Sequence, residues 1–109
     1  MWVSESLKQL FKRREEELLN KILELNFPFV SIGIFGSYAR NEYKLTSDLD
    51  MCIIVRDLPS RVIKGWLYEE ADILNADLIF VTEDYFHNDS SKFAINLRRD
   101  YKEVYKGVE

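Results

Sequence analysis

Apolar positions along the 109-residue chain fall into blocks whose period shifts from helical to extended and back. Leu7, Leu10, Phe11, Leu18, Ile22 and Leu25 recur at three- and four-residue steps, which places them on one stripe of a helix over residues 4–25. Ser4 or Ser6 can cap its start. Asn26-Phe27-Pro28 ends it, because the residue before a proline avoids helical geometry. Residues 29–35 are short, apolar and rich in β-formers and read as a strand. Residues 37–43 fit a short helix with Ser37 near its N-terminus, and 44–47 a connecting loop. Residues 48–55 form a second strand, whose nearly continuous apolar character implies cover on both faces. Pro59 can open the next helix from its first position. Val62, Ile63, Trp66, Leu67, Ala71 and Leu74 then trace a buried stripe, which Gly65 interrupts at ~1 kcal/mol relative to alanine. Residues 76–82 give a third strand. A last helix runs from Ser90 or Ser91 to Arg99, followed by an extended tail around Val104-Tyr105. The order αβαβαβα predicts an α/β (α+β) fold, a small mixed β-sheet flanked by helices.

Composition narrows the classes of function. The length suits a single domain over residues 1–109 with one core, and 47% hydrophobic residues can fill it. A net charge of −4 argues against direct nucleic-acid binding, which needs a concentrated basic footprint. The basic run Lys12-Arg13-Arg14 is followed at once by Glu15-Glu16-Glu17, a pattern expected of a solvated helix face with i,i+4 pairs. Cys52, the only cysteine, excludes an internal disulfide and reads as a small buried hydrophobe. No signal-peptide pattern and no apolar stretch near 18 residues occur, so the expected location is the cytoplasm, with no membrane partner. His87, the only histidine, lacks the partners of a zinc site and is expected in a surface loop of the polar segment 83–89. The late aromatics Tyr85, Phe86, Phe93, Tyr101 and Tyr105 are expected in the core, with any exposed minority a candidate partner patch.

The chemistry concentrates between residues 36 and 50. Gly36-Ser37 closes one apolar run; ten residues later Asp48-Leu49-Asp50 opens another, and Asp77 stands at the start of a third. Asp48 and Asp50 are two apart, so on a strand they share one face. Paired carboxylates there repel unless a cation sits between them. Hard oxygen ligands with open positions suit Mg²⁺, which takes one or two carboxylates plus substrate phosphates. A strand ending in glycine lets backbone approach phosphate, and a helix starting at Ser37 adds free N–H groups and a hydroxyl. Chance would produce Gly-Ser and Asp-x-Asp at this spacing in on the order of one chain in a thousand of this length. Asp77 requires a neighbouring strand to bring it across. Arg40 either reaches phosphate or pairs with an acid and braces the loop, since guanidinium suits both. Lys44 is a weaker phosphate candidate. The absence of Gly-x-x-x-x-Gly-Lys-Ser/Thr disfavours kinase and ATPase chemistry.

The segments Gly36-Ser37-Tyr38-Ala39-Arg40-Asn41 and Ser47-Asp48-Leu49-Asp50, with Asp77 as a later third carboxylate, resemble the nucleotidyltransferase fold of the DNA polymerase β superfamily. The match is to its minimal nucleotidyltransferases (MNT), small single domains often paired with HEPN-domain toxins. The likeness spans about residues 29–82. Asn41 stands where the family has glycine, and asparagine tolerates the left-handed backbone that a turn there needs. The resemblance implies transfer of AMP from ATP to a hydroxyl. Catalytic and metal ligands would be Asp48, Asp50 and Asp77, with Gly36, Ser37 and Arg40 on the nucleotide. Two Mg²⁺ ions would serve as cofactor, and Asp77 would activate the nucleophile. It further implies a HEPN toxin partner in a hetero-oligomer, a tyrosine acceptor on that toxin, and an antitoxin role. Two other readings stand beside it: a binding module that neutralises its partner by contact through a vestigial site, and the catalytic subunit of a small-molecule nucleotidyltransferase resembling those that modify aminoglycosides.

Overall fold

In the computed structural model, which describes residues 3–107, a four-stranded mixed sheet carries the chain. Helix α1 (Glu5–Glu24) leads into β1 (Ser31–Phe35), the one-turn α2 (Gly36–Ala39), β2 (Leu49–Val55), α3 (Arg61–Ile73), β3 (Ala76–Thr82), α4 (Glu83–Asn88), α5 (Lys92–Asp100) and β4 (Lys102–Lys106). The strand order is β3-β2-β1-β4. β2 and β3 run parallel, joined by α3 as a crossover, whereas β1 pairs antiparallel with both β2 and β4.

The central strands are buried on both faces, as the apolar run in β2 requires. On one face Ile32, Met51, Ile53 and Val55 pack against Phe11, Leu18 and Ile22 of α1 and Leu67 and Ala71 of α3. On the other, Cys52, Ile54 and Val81 meet Phe86 of α4 and Leu97 of α5. Cys52 is fully buried, and burial pushes its thiol up to about 12, so it behaves as the small hydrophobe expected. α1 is capped by Ser4, whose hydroxyl accepts from Leu7 N–H.

Several elements depart from the sequence pattern. β1 begins at Ser31 rather than 29, and the segment first joins β2 through Val30 N–H to Ile54 O. The expected helix over 37–43 is a single turn, closed when Asn41 takes a left-handed backbone (φ 62°). Asp48 lies just ahead of β2, which starts at Leu49. Pro59 sits outside α3, whose cap is Ser60 accepting from Ile63 N–H. Only Leu67 and Ala71 of the expected α3 stripe are fully buried; Val62 is 80% exposed and Trp66 is on the surface too. The polar segment 83–89 is mostly helix: Thr82 caps it, and Glu83 and Asp84 suit its positive first turn, while His87 lies exposed in its last. The tail is a true strand, β4, held to β1 by backbone pairing with only Val104 half-buried. Phe86 is core, but Phe93 and Tyr105 are exposed. Glu15 is not on a solvated face: it is 4% exposed, and it pairs with Lys12 at i,i+3.

Candidate active site

Strand register brings the acids together. Phe35, the last residue of β1, stands opposite Asp50, and Asp50 stands beside Asp77 on the parallel neighbour β3. Adjacent strands lie ~4.8 Å apart, so the two carboxyls share one rim of one sheet face. Asp48 approaches from the residue before β2, close enough that its charge acts on both Asp50 and Asp77. All three sequence-selected acids therefore meet, with Asp50 half-buried and Asp48 and Asp77 exposed.

Their electrostatics are those of an uncompensated cluster. Burial, then the charges of Asp77 and Asp48, push Asp50 up to about 6, with Arg40 pulling the other way. Asp77 is raised too, first by burial and then by the charge of Asp48 beside it. Such a cluster favours a bound cation. The donors are all oxygen, which fits Mg²⁺ and not a thiolate- or imidazole-seeking metal. Among the described residues no three such side chains already stand at metal-ligand spacing.

The Gly36-Ser37 turn abuts this cluster. Gly36 has φ 72°, and a methyl group in place of its hydrogen would overlap Oδ2 of Asp50. Glycine is thus required twice, by backbone and by the carboxylate. Ser37 is half-buried, and its hydroxyl makes no hydrogen bond to any described residue. One turn of helix adds little dipole, so the backbone and this hydroxyl carry whatever anion binding the turn provides. For Arg40 the structure shows the acid pair: its Nη1 donates to Asp100 Oδ2 at 2.6 Å, and Nε lies 3.5 Å from Glu42. Lys44 is exposed, its backbone N–H held by Ser47 Oγ in the loop turn.

Sequence reasoning missed Glu15 and Asp100. Tyr38 O–H donates to Glu15 Oε1 at 2.9 Å, and Lys12 Nζ donates to Oε2 at 3.0 Å. Glu15 lies 23 residues from Tyr38, and Asp100, the partner of Arg40, lies 60 residues from it, beyond any local pattern.

The nucleotidyltransferase domain family matches over residues 15–102. The chain is 33% identical to the Methanocaldococcus jannaschii protein named "Putative protein adenylyltransferase MJ0126", over 82% of this chain and 87% of that protein. A second protein of that organism with the same descriptive name, MJ1217, is 38% identical over 69% of this chain and 78% of its own length. A Sulfolobus solfataricus structure named "putative nucleotidyltransferase" superposes with a TM-score of 0.62 at 21% identity, covering 97% and 92% of the two chains. A toxin–antitoxin structure with AMP-PNP gives 0.58 at 23% identity over 86% and 74%. The MNT antitoxin complex with tri-AMPylated HEPN toxin from Shewanella oneidensis gives 0.53 at 20% identity over 88% and 72%. With the family matched across most of the chain and the fold shared with an MNT antitoxin complex, the chain belongs to the nucleotidyltransferase domain family.

Proposed function

We propose that this nucleotidyltransferase moves AMP from Mg·ATP to a hydroxyl of a partner protein, a tyrosine of a HEPN toxin, and so acts as the antitoxin of a cytoplasmic pair. The observation that carries the reading is the contact of Gly36 with Asp50, itself in register with Asp77. It sets the backbone of the Gly36-Ser37 turn directly against a carboxylate cluster that favours a cation. The M. jannaschii relatives' names and the toxin complexes among the fold neighbours support the acceptor and partner classes.

Asp48 and Asp50 would hold Mg²⁺, with Asp77 completing its ligands or facing the acceptor. Bound there, the metal would neutralise phosphate charge and acidify the attacking hydroxyl. Ser37 donates its free hydroxyl to a phosphate oxygen, and backbone reaches the same phosphate because Gly36 has no side chain. Arg40 adds positive charge from the side, while its link to Asp100 occupies one of its nitrogens. Asp77, raised and solvent-facing, takes the acceptor's proton as the new O–Pα bond forms and the Pα–O bond to pyrophosphate breaks.

The test is transfer of label. The chain is incubated with the protein encoded beside it and with ATP labelled at the α or the γ phosphate. Label from α should appear on the partner while γ label leaves as pyrophosphate. γ label on the partner would mean a kinase and overturn the reading. No transfer, with the partner still neutralised on mixing, would mean a contact antitoxin.

A further inference from the structure

The turn that carries Gly36 and Ser37 cannot hold its own orientation. α2 is four residues long, and Phe35 at its N-cap offers no side-chain cap. Its backbone bonds are local: Arg40 N–H to Gly36 O, Asn41 N–H to Tyr38 O and Glu42 N–H to Ser37 O. A single turn gains too few such bonds to offset the entropy of nucleating it. Something outside must fix it.

Two side chains, Tyr38 of α2 and Arg40 at its C-cap, reach two different helices, and each ends on a covered carboxylate. Tyr38 reaches Glu15 on α1; its ring is packed by Phe11 and Tyr43 at centroid distances of 5.4 and 4.9 Å. Burial and the bond to Glu15 push the Tyr38 phenol far above its usual range, so it stays a donor at any physiological pH. Glu15 is held in turn by Lys12. Arg40 reaches Asp100 at the last residue of α5, whose side chain is 6% exposed. Asp100 also accepts from Arg99 Nε at 3.0 Å, and these bonds hold its carboxyl below the usual range. Neither acid belongs to the Asp48, Asp50 and Asp77 cluster.

We infer that Glu15 and Asp100 are positioning residues: acting through Tyr38 and Arg40, they clamp α2 between α1 and α5 and thereby set Gly36 and Ser37 against the carboxylates. This rests on the reading of Gly36-Ser37 as the phosphate seat. The clamp accounts for two facts the site alone leaves unexplained. A carboxylate sits buried in the middle of α1 where the sequence pattern implies a solvated face, and Arg40 is turned toward α5.

The experiment separates the seat from the cluster. Mn²⁺ alone, titrated by its paramagnetic signal, reports the three acids; Mg·ATP, titrated by calorimetry, reports the acids and the seat together. Tyr38→Phe removes one hydroxyl, and Asp100→Ala removes the other anchor. Each should weaken Mg·ATP at least tenfold while Mn²⁺ affinity stays within about twofold, and the two together should cost less than the product of the singles, since both act on one element. Glu15→Gln keeps an acceptor for Tyr38 and should retain Mg·ATP affinity within about threefold; Asp100→Asn does the same for Arg40 and stands in if Asp100→Ala does not fold. Folded Tyr38→Phe and Asp100→Ala variants that bind Mg·ATP like wild type overturn the clamp. Parallel losses of Mn²⁺ and Mg·ATP also overturn it, because they mean general damage. Wild-type protein that binds Mn²⁺ but not Mg·ATP would instead sink the reading of the seat.

Discussion

Asp50 should destabilise the metal-free fold, and replacing it with asparagine should make the protein more stable as it becomes inactive. In the folded chain its carboxyl is pushed from 3.8 up to about 6, first by burial and then by Asp77 and Asp48. A tenfold change in proton affinity is worth ~1.4 kcal/mol, so the full rise amounts to ~3 kcal/mol. Asp50 is only half-buried, and solvent screening reduces this to ~1–2 kcal/mol. The folded state keeps this proton to higher pH than the unfolded chain does. The penalty is therefore absent below pH 3.8, grows between 3.8 and about 6, and is constant above. Thermal unfolding in EDTA should show Asp50→Asn melting higher than wild type by ~5–10 °C at pH 7.5, with the gap closing toward pH 4. Saturating Mg²⁺ should raise wild type and leave the variant where it was. A variant that melts below wild type at pH 7.5, or a gap that does not change with pH, refutes the electrostatic account.

Three further outcomes test the site by other routes. ATP should raise the melting temperature with Mg²⁺ present and far less in EDTA, because a ligand that binds only the native state stabilises it; equal shifts would remove Asp48 and Asp50 as metal ligands. Asp77→Asn should keep most Mg·ATP affinity and lower kcat by ~10²–10⁴ if Asp77 takes the proton, and near-wild-type turnover in a folded variant would make it structural. Gly36→Ala, which puts a methyl against Asp50 at φ 72°, should cost ~1–2 kcal/mol of stability and lose Mg·ATP binding, as read by calorimetry on the folded fraction.

The parts of the molecule that are legible in the sequence are those whose signal is local. Helical period marks α1, and short apolar runs rich in β-formers mark β1–β3, since burial in each is written into neighbouring residues. The acids Asp48, Asp50 and Asp77 are legible as a set because each opens an apolar run, which fixes it at a strand rim. What is not legible has a common cause. α4 buries only Phe86, so no stripe marks it, and its start is set by a threonine cap that the period does not see. β4 is exposed along most of its length and owes its conformation to β1, some 70 residues away. Val62 and Trp66 extend the α3 stripe further round the helix than its neighbours can cover. Glu15 reads as one of three equivalent glutamates until the fold places Tyr38 beside it.

The pairing of β4 with β1 also orders events during synthesis. Ser31 Oγ donates to Glu103 at 2.7 Å and meets the Tyr101 hydroxyl at 2.5 Å, and Gly107 N–H donates to Val30 O. The Ser31 contacts need residues 101 and 103 and the Val30 bond needs residue 107, whereas β1, β2 and β3 can pair once residue 82 is out. The nascent chain therefore carries its acids in register while one edge of β1 is still open, a row of unpaired backbone that invites association with other strands. α5 emerges in the same late interval and brings Asp100 with it. Closing the sheet and seating Arg40 thus both depend on residues 100–107, and a chain truncated before them would lack both the edge pairing of β1 and the acid that holds Arg40.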